Sequence, residues 1–318
     1  MKSEFGFIEK LRNRSLTSKI GDDCAVVPKD SEIDLVITTD LLIEDIDFRI
    51  DWTQPEFLGH KALAVSLSDV AAMGAKPVWS MLSIGIPEKI WKTDFVERFY
   101  DGYFRLAEKF NVKLIGGDVS RTPDKIVVDS IAAGEVKKGN AVLRSGAKAG
   151  DLIFVTGQLG GAARSLKLLE NGERFAEEIN FPLRQLLLRQ LAPNPQIEIG
   201  QILGADNLAT AMIDLSDGLS GDLRHLCRES KTGAKIFFDK IPIDKNIDIL
   251  EKSDCALNGG EDFELLFTVN PKKISRLEKQ LKNFAFSRVG EITANIEIIE
   301  LVDGNETTIL QPKGFRHF

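Results

Sequence analysis

Apolar, strand-like runs in this chain repeatedly end on aspartate: Ile20-Gly21-Asp22-Asp23, Val36-Ile37-Thr38-Thr39-Asp40, Leu114-Ile115-Gly116-Gly117-Asp118, Met212-Ile213-Asp214-Leu215-Ser216-Asp217 and Leu257-Asn258-Gly259-Gly260-Glu261-Asp262. A further acid, Asp69, sits in a helix-like stretch of small and apolar residues from Ala62 to Met73. Carboxylates at strand ends gather along one edge of a sheet, and each raises the free energy of the others unless cations neutralise them. An ionised acid inside an apolar helix makes the same demand for a metal or a cationic partner. Lys61, two turns before Asp69, is the partner the helix itself offers. A fold that brings these acids together suits magnesium and polyphosphate, and so phosphoryl transfer.

The chain has 318 residues, more than one core usually supports, so two domains are expected. Its formal net charge is −7 and no basic stripe offsets it, which argues against a nucleic-acid partner. Cys24, Cys227 and Cys255 are far apart and form no C-x-x-C pair, as expected of reduced, partly buried thiols. No apolar stretch approaches the ~20 residues of a membrane span, and the first residues lack the apolar core of a signal peptide. The expectation is a cytoplasmic enzyme with no membrane partner.

Strand-like composition marks 23–29, 33–39, 78–86, 112–115 and 125–136, helical spacing marks 55–74 and 93–110, and 4–18 is expected to be a short helix followed by a mobile linker. Strand 112–115 is expected to run into a loop at Gly116-Gly117-Asp118. A small-residue segment, Leu143 to Asp151, sets the expected boundary between domains 1–140 and 141–318. Beyond it, strands are expected at 152–156, 234–238, 264–269, 286–290 and 296–301, and helices at 162–170, 183–191, 196–203 and 219–229. Helices and strands mix without regular βα alternation, so the fold class is α+β, with helices against one face of a mixed or antiparallel sheet in each domain.

Threonine hydroxyls and carboxylates are hard oxygen ligands, which makes Thr38, Thr39 and Asp40 a candidate magnesium set or, equally, a turn cap. Gly117 permits close approach of phosphate oxygens to backbone N–H groups, or merely a tight turn. Asp214 and Asp217 flank Ser216 at a strand-to-helix junction, where a helix starting near Leu219 would point its N–H groups at a phosphate. Asp222 falls in that helix's first turn, where an acid is also favourable for structure alone. Arg144 either clamps nucleotide phosphates or pairs with a surface acid. Gly157 to Gly161 lies between a strand and a helix but lacks both the P-loop ending and the G-x-G-x-x-G pattern. The three histidines are scattered, with no metal spacing and no triad, so a covalent phosphohistidine is not expected.

Taken together, Lys61 to Pro77 (KALAVSLSDVAAMGAKP), Ile115 to Asp118 (IGGD), Arg144 to Asp151 (RSGAKAGD), Ile213 to Leu219 (IDLSDGL) and Gly259 to Leu265 (GGEDFEL) resemble the thiamine-monophosphate kinase family. That family belongs to the superfamily that includes aminoimidazole ribonucleotide synthetase and selenophosphate synthetase. The resemblance covers nearly the whole chain. It implies a two-domain aminoimidazole-ribonucleotide-synthetase-like fold whose N-terminal sheet pairs across a homodimer, with a C-terminal α/β domain. It also implies direct in-line transfer of the ATP γ-phosphoryl group to thiamine monophosphate with several Mg²⁺ ions and no covalent intermediate. By the same resemblance Asp23, Thr38, Thr39, Asp40, Asp69, Asp118, Asp214 and Asp217 are the metal shell. Gly117, Asp118, Arg144 and Ser216 contact ATP, and Glu261 and Phe315 contact the substrate. The family often has histidine where this chain has Asp47, so that substrate contact is altered. Within the superfamily, a selenophosphate synthetase would need a reactive thiol near the N-terminus, whereas Cys24 is expected inside a strand.

Overall fold

The structure is a computed structural model that describes residues 4–14, 17, 20–205, 207–248 and 250–314. The first half runs α1 (Glu4–Arg12), β1 (Ala25–Pro28), β2 (Ile33–Ile43), α2 (Pro55–Ala72), β3 (Lys76–Pro87), α3 (Glu88–Trp91), α4 (Phe95–Phe110), β4 (Lys113–Thr122) and β5 (Val127–Lys137). The second runs β6 (Leu152–Thr156), α5 (Gly161–Glu170), α6 (Phe181–Leu191), α7 (Ile197–Ala205), β7 (Ala209–Asp214), α8 (Leu219–Ser230), β8 (Gly233–Phe237), α9 (Lys252–Asn258), β9 (Leu265–Val269), α10 (Ile274–Gln280), β10 (Phe286–Thr293), β11 (Ile299–Asp303) and β12 (Glu306–Ile309). The first five strands form a mixed sheet ordered β1-β2-β5-β3-β4, and the rest a seven-stranded mixed sheet ordered β12-β11-β8-β10-β6-β9-β7. The α+β expectation holds. Gly116-Gly117-Asp118 corrects it locally, because these residues lie inside β4 and not in a loop. A Cβ on Gly117 would come within 1.8 Å of the Leu82 carbonyl oxygen, so this glycine lets β4 close on β3 at a register shift.

The organising element is α2. Apolar residues surround it on every side, which is the pattern of a helix with no solvent face, and thirteen of its eighteen residues are buried. It lies between the first sheet, α4 and the second half, and its residues share one core with Phe154, Met212 and Phe267. Glycines set the spacing. A Cβ on Gly59 would meet the Phe99 carbonyl oxygen at 1.8 Å, one on Gly102 the Glu56 carbonyl oxygen at 1.9 Å, and one on Gly200 the Ala71 carbonyl oxygen at 2.3 Å. Helices α2, α4 and α7 therefore touch backbone to backbone.

Strand alternation divides the acids of the first sheet. Thr38, Asp40 and Leu42 point toward α2, while Thr39 and Leu41 occupy the opposite face. Asp129 pairs in register with Leu41 and with Ser83, and Ser83 pairs with Asp118, so Asp118 belongs to that opposite face too. Within one chain this face is open, with Leu41 54% and Val27 39% exposed. No helix among the described residues is long and apolar enough to cross a membrane. The three cysteines are buried and form no disulfide.

Replacing Gly59 or Gly102 with Ala should destabilise the protein by about 1–3 kcal/mol, the usual cost of overpacking. Denaturant unfolding measures it, and wild-type stability in both variants would show that the helices separate freely.

Candidate active site

Three stretches remote in sequence meet beside α2. Asp23 precedes β1, Asp69 sits near the end of α2, and Asp214 closes β7. One carboxylate oxygen from each lies within 4.8 Å of the others, a spacing that suits a shared divalent cation. Asp40, at the middle of β2, adds its charge to that of Asp69.

Hydroxyls inlaid in apolar elements orient these acids. Thr38 donates to Asp69, Ser66 donates to Asp40 Oδ2 at 2.7 Å, and Ser68 donates to Asp214 Oδ2 at 2.6 Å. Arg144 compensates a single member, with Nη2 at 2.5 Å and Nε at 3.2 Å from Asp23 Oδ1. The other oxygen, Asp23 Oδ2, is buried without a hydrogen-bond partner among the described residues. Burying an ionised carboxylate oxygen unpaired is costly, and this one belongs to the triad that converges on one point. The donor set, hard oxygens only, fits magnesium.

Lys61 does not supply the missing charge. Its ammonium is 2.6 Å from Glu261 and not on Asp69, which removes the structural partner that the helix spacing suggests. Burial, followed by repulsion from the neighbouring acids, therefore raises the carboxyl pKa values. Asp40 goes up to about 6, Asp214 to about 8, and Asp69 well above the ordinary range. Asp69 keeps some accessible surface, yet protein surrounds its carboxylate closely enough for desolvation to lead.

A cavity of about 500 Å³ opens beside the acids. Asp40, Asp47, Ser216, Asp217 and Glu261 line it together with an apolar wall that includes Phe48, Trp52, Leu191 and Phe263. One oxygen of Asp47 accepts the Ile43 N–H at 2.8 Å and so shapes the loop after β2. Asp217 is held through its backbone, because Asp222 Oδ2 accepts the N–H groups of Asp217 and Gly218 at 3.1 Å each. A Cβ on Gly314 would lie 2.6 Å from the Asp217 carbonyl oxygen, so the described chain reaches the site just before Phe315, which lies outside the described residues.

The structure therefore brings Asp23, Thr38, Asp40, Asp69 and Asp214 together and sets Asp217, Ser216, Asp47 and Glu261 on the adjoining cavity. Thr39 and Asp118 stand on the other face of the sheet, where the Thr39 hydroxyl donates to Asp129 at 2.7 Å. Gly117 is explained by strand packing. The turn from Gly157 to Gly161 offers no phosphate cradle. Asp262 already accepts the Gly160 and Ala162 N–H groups at 2.5 and 3.2 Å, and a Cβ on Gly157 would overlap the Glu264 carboxylate. Sequence reading missed Ser66, Ser68, Gln190 and the pairing of Lys61. Two serines in an otherwise apolar helix were the available signal.

Residues 21–136 match the N-terminal domain of the AIR synthase related proteins, and residues 148–301 match their C-terminal domain. Fold and site together define a member of that class. Over 307 residues the chain is 41% identical to a thiamine-monophosphate kinase of Buchnera aphidicola subsp. Acyrthosiphon pisum, covering 94% of this chain and 92% of that one. It is 37% identical to the Escherichia coli (strain K12) thiamine-monophosphate kinase, over 99% and 98% of the two chains. A solved structure described as AaThiL complexed with AMPPCP and TMP superposes with a TM-score of 0.87 at 31% identity, over 99% and 97% of the chains. The chain belongs to the thiamine-monophosphate kinase family.

The raised carboxyl pKa values carry a sign. Above pH 6.5 the folded, metal-free protein still holds a proton on Asp214 that the unfolded chain has released, and the upward shift of Asp69 acts in the same direction. Stability then falls as pH rises, with a slope of up to about 1.4 kcal/mol per pH unit for each such proton. The lowered pKa values of His60 and His225 act below that window. Thermal unfolding in chelator should therefore show a falling midpoint between pH 6.5 and about 8, the value reached by Asp214, and Mg²⁺ should reverse the fall. A rising midpoint, or indifference to Mg²⁺, would contradict this reading.

Proposed function

We propose that this chain transfers the γ-phosphoryl group of ATP to the phosphate of thiamine monophosphate, giving thiamine diphosphate and ADP. The observation that carries the reading is the convergence of Asp23, Asp69 and Asp214, with one buried oxygen unpaired, next to Asp40, which itself lines an acid-rich cavity. Family membership supports it, as does the relative described with AMPPCP and TMP. In the transfer, an oxygen of the acceptor phosphate forms a bond to the γ-phosphorus. The bond from that phosphorus to the β,γ-bridging oxygen breaks, and ADP leaves with the electron pair.

Asp23, Asp40, Asp69 and Asp214, with Thr38, are the residues we assign to Mg²⁺. When bound there, Mg²⁺ supplies charge neutralisation for two polyanions that must approach and for the transferring group. The protein contributes positioning. Ser66, Ser68 and Thr38 fix the acids, and Asp222 fixes the Ser216-Asp217 turn. The cavity is lined by six carboxylates, Asp40, Asp45, Asp47, Glu170, Asp217 and Glu261, against two bases, Arg49 and Lys61, an excess of acid that favours an acceptor with a cationic ring. Phe48, Trp52 and Phe263 offer aromatic surface for its heterocycles. We assign ATP to the side of Arg144 and Ser216, and keep Phe315 as an acceptor contact on family grounds. The division at residues 140 and 141 and the homodimer belong to the same proposal. The open sheet face carrying Thr39, Leu41 and Asp118 is the surface a second copy would cover.

Purified protein with ATP, Mg²⁺ and thiamine monophosphate should form thiamine diphosphate and ADP in equal amounts. Product formed only with another acceptor would overturn the assignment. Asp69→Asn should lower turnover at least about a hundredfold, as loss of a charge-stabilising group does, with an unchanged circular dichroism spectrum. Wild-type turnover would remove Asp69 from the metal set.

A further inference from the structure

Lys61 is 2% exposed, an unusual setting for an ammonium. It bonds in two directions. Its Nζ is 2.6 Å from Glu261 Oε1, and it donates to the backbone carbonyl of Asp47 at 3.3 Å. The second oxygen of Glu261 accepts from the side-chain amide of Gln190, which α6 buries to 6% exposure. Both carboxylate oxygens of Glu261 are thus tied, one to α2 and one to α6, while its side chain stays 28% exposed on the cavity. The backbone is tied as well. Glu261 has φ +63°, the left-handed region that non-glycine residues avoid, and its N–H donates to the Ser216 carbonyl at 2.8 Å.

A buried ion pair is a poor source of stability, since well-packed apolar residues usually do as well. Position explains this one better. The ammonium joins the loop after β2 to the Gly260-Glu261 turn, and both segments line one cavity. We infer that Lys61 and Gln190 are positioning residues for the phosphoryl acceptor, acting through Glu261 and, for Lys61, through the Asp47 loop as well. Their bonds go to Glu261 and the Asp47 carbonyl, and not to the acid cluster or to Arg144 and Ser216, where nucleotide is assigned, so neither sets the affinity for nucleotide. The inference rests on the reading of this cavity as the acceptor site.

Steady-state kinetics with both substrates varied tests it. Lys61→Met and Gln190→Leu should each raise the KM for thiamine monophosphate, by about a hundredfold at most for a group displaced by an ångström, and leave the KM for ATP within about twofold. Adding Lys61→Met to Glu261→Gln should raise the acceptor KM little further, because coupled residues are non-additive. Should Lys61→Met fail to fold, Gln190→Leu decides alone, as it removes no charge. An unchanged acceptor KM in the folded variants, or equal rises for both substrates, overturns the inference. A wild-type protein that makes no ADP in response to thiamine monophosphate would instead sink the functional reading beneath it.

Discussion

Mutual repulsion among Asp23, Asp69 and Asp214, with Asp40 adding to it, is the constraint around which this molecule is arranged. Hydroxyls from Thr38, Ser66 and Ser68 satisfy single oxygens without adding charge. Arg144 pairs directly with Asp23, and its charge also favours ionised Asp214, but burial and the neighbouring acids outweigh it there. Buried like charges of this kind raise one another's pKa or recruit a cation, and the orphaned Asp23 oxygen marks where the deficit is concentrated. Stability has been surrendered at this place to keep a chemical capacity.

Holding such a cluster together requires a rigid support, and α2 provides it. It is apolar all round, touches α4 and α7 through glycines, and carries Lys61, Ser66, Ser68 and Asp69 on one continuous rod. The acids and the cavity wall thereby share one frame. Lys61 reaches the cavity at one end, and Asp69 reaches the triad two turns later. Packing that excludes water from the helix also strengthens every electrostatic interaction the site uses.

The acids were legible because each interrupts or ends an apolar run, and that pattern survives any uncertainty about topology. Strand alternation was legible too, and it sets Thr38 and Thr39 on opposite faces, so grouping them in one shell within a single chain runs against the period-2 geometry of β2. Gly116-Gly117-Asp118 looked like a loop because glycine usually breaks strands, whereas here it admits a close strand neighbour. Lys61 looked like the partner of Asp69 because helix spacing is visible in sequence. Its actual partner comes from residue 261, and no local pattern encodes that contact. Asp262 shows the same limit, since its role as a cap on the turn before α5 depends on a fold-level approach. The short elements α9, α10 and β12 have too few residues for a period to show.

The most direct measurement is anomalous diffraction from crystals grown with Mn²⁺ and a non-hydrolysable ATP analogue. The account predicts a manganese peak within coordinating distance of Asp23, Asp69 and Asp214, with the unpaired Asp23 oxygen among its ligands. A map with nucleotide bound and no peak among these three carboxylates would contradict it.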